Sequence, residues 1–226
     1  HLERFLHWPA AARYRDTQVS LMVGNEDVYD LIERMLQSAV RPYRSRRIHI
    51  GMDEAWDLGR GERLSRRGYT PPSTLMAEHL RRVREIVHKL GLQAMMWSDM
   101  HFENAGPGGY YGEDKVFTDE IVRSAPADID LVYWDYYHER EAGYDRMLTL
   151  HEQFSAKTVF AGGIWTWSGI AADYRKTMTV IGPALRMCLK HGVREVFATA
   201  WGDNGGECPF STILLGLQAY AEFDYA

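Results

Sequence analysis

Five apolar runs of strand length, each followed by a stretch of helical periodicity, set the tightest constraint on what this chain folds into. The runs are IHIGMD (48–53), LQAMMWSD (92–99), DLVYWDYY (130–137), TVFAGGIWTW (158–167) and EVFATAWGD (195–203). Leu75, Leu80, Val83, Ile86, Val87 and Leu90 recur at helical spacing after the first run, closed by Gly91. The later runs lead into helical stretches around 117–122, 147–154, 177–190 and 212–222. An earlier helix is read from Val28, Leu31, Ile32, Met35, Leu36 and Ala39, ending near Pro42. Polar residues rich in Gly, Arg and Pro between Gly59 and Pro72 read as a long loop, and Gly106 to Glu113 as a glycine-rich one.

Strands alternating with helices imply parallel pairing, in an open doubly wound sheet or in part of an eightfold barrel. The strand tips decide between the two. Asp53/Glu54, Trp97/Asp99, Trp134/Tyr136, Trp165/Trp167 and Trp201/Asp203 all fall at C-terminal ends. An open sheet concentrates its site at one switch point, whereas a barrel draws on many strands. The expected fold is α/β, a partial (β/α)8 TIM barrel spanning 1–226 as one catalytic domain and carrying about strands 4–8. The first three strands are expected to be missing, in keeping with a chain that opens on His1 rather than Met.

Composition narrows the partners. A net charge of −5, with 26 basic against 31 acidic residues, gives no electrostatic case for nucleic acid or an anionic membrane. No apolar run approaches the ~20 residues that span a bilayer. Two cysteines, Cys188 and Cys208, are too few for a disulfide framework and favour a reducing, cytoplasmic setting. Secretion remains compatible with a chain whose own N-terminus lies upstream.

The first run delivers two acids. Ile48, Ile50 and Met52 alternate with His49, Gly51 and Asp53, and Glu54 follows at once. Adjacent side chains on a regular strand face opposite ways, so Asp53 and Glu54 share a pocket only where the backbone turns. Paired carboxylates are the usual equipment for cleaving a glycosidic bond, one of them kept protonated by burial or a like-charged neighbour. The structural alternative is a pair that caps the loop or binds Arg60. Together with His49 the acids also have the residue types of a metal site, but neither an HExxH helix nor a second histidine at ligand spacing accompanies them. A hydrogen-bonded structural histidine is the simpler reading, and no metal or organic cofactor is expected.

Six of the seven tryptophans (Trp56, Trp97, Trp134, Trp165, Trp167 and Trp201) lie at or just past a strand tip. Singly each is ordinary core. As a set at a barrel mouth they describe an indole-walled cup floored by carboxylates, which suits a sugar: rings stack on its C–H faces and acids bind its hydroxyls.

These residues resemble glycoside hydrolase family 20, the β-N-acetylhexosaminidases, and its bacterial exo-acting branch in particular. His49-Ile50-Gly51-Met52-Asp53-Glu54 fits the His-x-Gly-x-Asp-Glu signature, and WSDM, YWDYY, GGIWTW and AWGD extend the likeness along the chain. The resemblance implies retaining hydrolysis of terminal GlcNAc or GalNAc in which the substrate's own acetamido group assists through an oxazolinium intermediate. It makes Glu54 the general acid and base, and Asp53 the group that holds the acetamido N–H. Trp97, Trp134, Trp165 and Trp201 become pocket walls, and His1 the counterpart of a Gly-His position. Where the family carries Tyr-x-Asp on the seventh strand this chain has Trp165-Thr166-Trp167, so Tyr136 or Tyr137 takes the acetamido oxygen. Where the family carries Trp-x-Glu on the last strand this chain has Trp201-Gly202-Asp203, with Glu207 close behind for the outer hydroxyls. The implied partner is an N-acetylhexosamine-terminated glycan. The reading set against it is a catalytically inactive sugar-binding barrel built from the same aromatics.

Overall fold

The computed structural model describes residues 3–203 and 206–225, in two compact units, His1–Met96 and Trp97–Ala226. His1 lies outside the described residues.

In the first unit β1 (Arg47–His49) pairs in parallel with β2 (Gln93–Trp97), Ile48 opposite Ala94 and His49 opposite Met95. One further bond, from the Ile50 N–H to the Met95 carbonyl at 2.9 Å, ends the ladder. Four helices matter here. Helix α1 (Glu3–Leu6) places Leu6 in a core with Ala11, Tyr14, Met22 and Val28. Helix α2 (Glu26–Val40) starts where Asn25 accepts the Asp27 N–H, with acids in its first turn where the helix dipole favours them.

Between them in the chain and β2 come α3 (Glu62–Arg67) and α4 (Pro72–Lys89). In α4 Leu75, Met76, Leu80, Val83, Ile86 and Val87 are buried at the spacing read from the sequence. It ends as predicted at Gly91, whose φ of +61° needs no Cβ. The Leu92 N–H reaches the Val87 carbonyl and the Gly91 N–H the His88 carbonyl, both at 2.9 Å, closing a Schellman motif.

Helix α3 corrects the expected long loop. Its ERLSRR sequence has no apolar stripe, and six residues are too few to hold a helix in water unaided. The start is capped from a distance instead: the Asp16 carbonyl accepts the Glu62 N–H at 2.9 Å, and Asp16 Oδ1 accepts the Arg63 N–H at 2.6 Å. Local periodicity carries no trace of such a cap.

In the second unit β3 (Asp130–Asp135), β4 (Thr158–Gly163) and β5 (Val196–Thr199) pair in parallel in chain order. The first two are buried almost throughout, the pattern of parallel strands covered on both faces. Short helices α5 (Asp99–Glu103) and α6 (Asp119–Ser124) follow β2. Helix α7 (Glu141–His151) follows β3, α8 (Tyr174–Lys190) follows β4, and α9 (Ile213–Tyr225) ends the described chain. Cys188 is buried on the inner stripe of α8, as a core residue. All five runs are strands, but shorter than their apolar stretches: the ladders stop at His49, Trp97, Asp135, Gly163 and Thr199.

Candidate active site

The acid pair sits on a turn. Past the last ladder bond, Gly51 has φ +77°, Met52 +76° and Glu54 +50°. Residues other than glycine enter this left-handed region at a cost of about 1–3 kcal/mol each and do so mainly where function demands it. The turn predicted from the side-chain argument is therefore present, and it carries Asp53 and Glu54 to the border of one cavity of about 240 Å³. Asp53 is half-buried and Glu54 exposed.

The cavity wall is aliphatic: Leu6, Leu21, Val23, Ile50, Leu58 and Met76 all border it. Among the described residues no tryptophan does, and Trp56 stands 62 % exposed.

His49 supports the turn from behind. Its Nδ1 accepts the Gly51 N–H at 3.0 Å, which leaves the ring proton on Nε2 when the histidine is neutral. Burial pulls its pKa down to about 4, against the opposing pull of Asp53. A neutral, hydrogen-bonded histidine fits the structural role. Among the described residues no group of three His, Cys, Asp or Glu side chains is placed to hold a metal ion.

The strap that follows is pinned along its back. The Trp56 N–H bonds the Glu54 carbonyl at 2.9 Å, Leu58 bonds Ala55 at 3.2 Å and Arg60 bonds Asp57 at 3.0 Å. Ser20 Oγ donates to Asp57 Oδ1. Gly59, at φ +75°, has no room for a side chain, since a Cβ would lie 2.2 Å from Leu75 Cδ1. Gly59→Ala combines that overlap with an unfavourable φ, and a loss of about 1–3 kcal/mol in stability is expected. Denaturant melts of the two proteins check it; a shift within error would mean that the strap tolerates a side chain.

In the second unit the strand-tip aromatics form one continuous cluster. Trp97 meets Trp201 at 6.0 Å, Trp201 meets Tyr136 at 6.5 Å, and Tyr136 stacks on Trp134 at 5.5 Å. Trp167 touches Tyr136 edge-on at 5.3 Å and stacks on Trp165 at 4.7 Å. Tyr137 closes the row against Trp165 at 5.6 Å. Two indole N–H groups are tethered, Trp134 to Asp99 Oδ1 at 3.4 Å and Trp165 to the Tyr136 carbonyl at 2.9 Å. Tyr136 is 5 % exposed and Tyr137 48 %; Trp134, Trp165, Trp167 and Trp201 are half-buried. Such a surface is partly wet, unlike a core. Gly163 permits it, because a Cβ there would come within 2.8 Å of both Trp167 and Tyr136.

Several contributors escaped the sequence reading. Tyr110 and Tyr111 rise from the glycine-rich loop to pack on Trp134 at 4.8 and 5.7 Å, and Tyr111 donates to the Trp134 carbonyl at 3.0 Å. Arg146 on α7 holds that loop through the Tyr111 and Gly112 carbonyls at 2.7 and 2.9 Å. Asp135, fully buried, accepts four hydrogen bonds: the backbone N–H groups of Tyr137 and His138, the Tyr133 hydroxyl and His138 Nδ1. It fixes the corner from which Tyr136 and Tyr137 project. A paired Tyr-Tyr inside a glycine-rich stretch was the available signal for the loop; nothing local flags Asp135. Asp203 and Glu207 are exposed, and among the described residues neither side chain bonds the cluster.

Comparison with known proteins fits this arrangement. Residues 5–146 match the sequence model of the glycosyl hydrolase family 20 catalytic domain. No curated protein matches the sequence. Among solved structures, an inactive mutant of the exo-β-N-acetylglucosaminidase of Vibrio harveyi superposes with a TM-score of 0.56 at 15% identity, covering 93% of this chain and 33% of that one. The same enzyme in complex with N-acetylglucosamine gives 0.55 at 16% identity, with the same coverage. The chain thus spans about a third of the length of these structures. At such identities the likeness speaks for the fold, parallel strands and helices forming part of a (β/α)8 barrel. The match over residues 5–146 takes in the acid-bearing turn and runs beyond β3, and by it the chain belongs to glycosyl hydrolase family 20, as part of its catalytic domain.

Proposed function

We propose that the protein to which this chain belongs is a retaining exo-β-N-acetylhexosaminidase that removes terminal GlcNAc or GalNAc by substrate-assisted catalysis. The observation that carries the reading is the strained turn from Gly51 to Glu54, which sets two successive carboxylates on one cavity border. Glu54, exposed on that turn, is reachable by a leaving-group oxygen and then by water, as a group must be that first donates a proton and later removes one. The acetamido oxygen attacks the anomeric carbon as the leaving bond breaks, and an oxazolinium ion forms. Asp53 accepts the acetamido N–H, and its fixed negative charge lies where positive charge develops. Its partly apolar surroundings strengthen that interaction relative to water.

Trp97, Trp134 and Trp201 wall the sugar, with Trp165 further along the row. Tyr136 or Tyr137 is the group to bond the acetamido oxygen; Tyr136 is lodged among Trp134, Trp167 and Trp201, and Tyr137 is exposed. Asp203 and Glu207, both exposed, serve the outer hydroxyls.

The test is discrimination by the acetamido group. Full-length protein should release nitrophenol from the β-N-acetylglucosaminide and leave the corresponding β-glucoside, which lacks the internal nucleophile, essentially untouched. Comparable turnover of the two would sink substrate assistance.

A further inference from the structure

We propose that Tyr110 is a positioning residue of the sugar wall: a one-way chain of hydrogen bonds through Ser98 and His151 fixes its ring, and that ring fixes the Trp134 indole. The proposal rests on the reading of Trp134 as a face on which the sugar stands. The chain lies within the second unit, and its three members are buried. Tyr110 Oη lies 2.9 Å from Ser98 Oγ, Ser98 Oγ lies 2.9 Å from His151 Nε2, and His151 Nδ1 lies 2.7 Å from the Met147 carbonyl oxygen. The direction of the chain follows from its far end. A carbonyl only accepts, so Nδ1 carries the proton of an imidazole that burial keeps neutral. Nε2 is then a bare lone pair and takes the Ser98 proton, and the Ser98 oxygen in turn takes the proton of Tyr110. Every proton is committed, and a buried chain satisfied at each link specifies a single arrangement.

The elements that the chain joins give it a use. Ser98 directly follows β2, and His151 is the last residue of α7, whereas Tyr110 belongs to a loop with four glycines between 106 and 112. Such backbone has little stiffness of its own, so its tethers decide where it stands. Tyr111 also meets the indole edge-on, but its hydroxyl bonds the Trp134 carbonyl and so refers Trp134 only to its own backbone. Tyr110, packed on the indole at 4.8 Å, refers it to a strand tip and a helix end. The indole also stacks on Tyr136 at 5.5 Å, and Tyr136 stands on the corner held by Asp135. Two separately anchored rings thus set the tilt of Trp134. Cutting the chain leaves the contact with Tyr110 in place but free to slide.

Tyr110→Phe in the full-length protein keeps the ring and removes the first proton of the chain, while Ser98 keeps its bond to His151. Calorimetric titration with N-acetylglucosamine is the measure, so that a failed acid leaves the test intact. Binding should weaken by about fivefold, the worth of one well-placed aromatic contact, while kcat on the nitrophenyl β-N-acetylglucosaminide changes by less than about twofold. Ser98→Ala should cost as much, and the double variant no more than either alone, since both cut one chain. A lower melting temperature in Tyr110→Phe with affinity unchanged would make the chain a matter of stability alone and overturn its positioning role. Losses that add in the double variant would overturn it too, and in both cases the sugar wall stands if Trp134→Ala weakens binding. If the unmodified protein binds no N-acetylglucosamine, or Trp134→Ala binds it as well as the parent, the wall falls and the positioning role with it.

Discussion

Glu54→Gln lowers kcat on an aryl β-N-acetylglucosaminide by about 10²–10⁴-fold in the full-length protein, the usual worth of a positioned proton donor. Glutamine keeps the size and much of the hydrogen bonding of glutamate but has no proton to give. The position is exposed and its backbone already sits at φ +50°, so the same turn serves both residues and stability should change by no more than about 0.5 kcal/mol. The loss should also depend on the leaving group. A dinitrophenolate departs without protonation, so its glycoside should lose far less than a methyl glycoside. Equal rates in variant and parent, or an equal loss on both leaving groups, would remove Glu54 from the role of acid.

Acid lability is the second large effect expected, and it comes chiefly from His101 and His151, with His49, likewise lowered to about 4 by burial, adding in the same sense. His101 and His151 are 3 % and 1 % exposed, and burial lowers both to a pKa of about 4. His101 Nδ1 donates to Ser124 Oγ at 3.0 Å, that hydroxyl being committed to the Ile121 carbonyl, while Nε2 is buried with no hydrogen-bond partner among the described residues. His151 Nδ1 donates to the Met147 carbonyl at 2.7 Å, and its Nε2 lies 2.9 Å from Ser98 Oγ. Phe154 packs on the His101 ring and Phe102 on the His151 ring, and the two phenyl rings meet each other.

The unfolded chain takes up protons at its histidines from about pH 6.5 downward, and the folded one only near pH 4. Between those values the unfolded state binds more protons, so stability is full above pH 6.5 and falls as pH drops toward 4. His101 and His151 each account for roughly 3 kcal/mol over that window. His191 works in the opposite sense. Burial pulls its pKa down, but bonds to Glu152 and Asp145 carry it above the ordinary value, so its contribution is present below about pH 6.5 and is lost as pH rises. Its partners are partly or largely in contact with solvent, and such pairs are worth little, so the buried histidines decide the sign. Urea midpoints at pH 7, 5.5 and 4.5 measure the slope; a flat profile would mean that these rings accept a proton where they lie.

The five strand-and-helix units were legible because burial writes itself into period and composition. Helix α4 shows this best: its stripe and its terminal glycine both lie where the spacing puts them. Strand ends were misread for a physical reason. In 130–137, 158–167 and 195–203 the apolar character continues past the ladder, where it builds the ring cluster instead of the sheet. Helix α3 depends on a partner brought from elsewhere in the chain, Asp16, whereas the corner held by Asp135 is built from neighbours two and three residues away, Tyr133 and His138, whose bonds no hydrophobic period records. The acids were placed correctly on a turn by one argument about alternating side chains. Their aliphatic surroundings were not, because those come from α1, α4 and residues 19–23, which no motif ties to the strand tip.

Only three residues of β1 and one further bond precede that turn, so an unusually short footing restrains a stretch of backbone that would relax if released. Damage to the footing should therefore declare itself early in chemistry and late in melting. A substitution on β1 or at its Met95 partner would let the two carboxyl groups drift apart while the helices remain packed, giving a folded protein that circular dichroism calls healthy and a substrate does not.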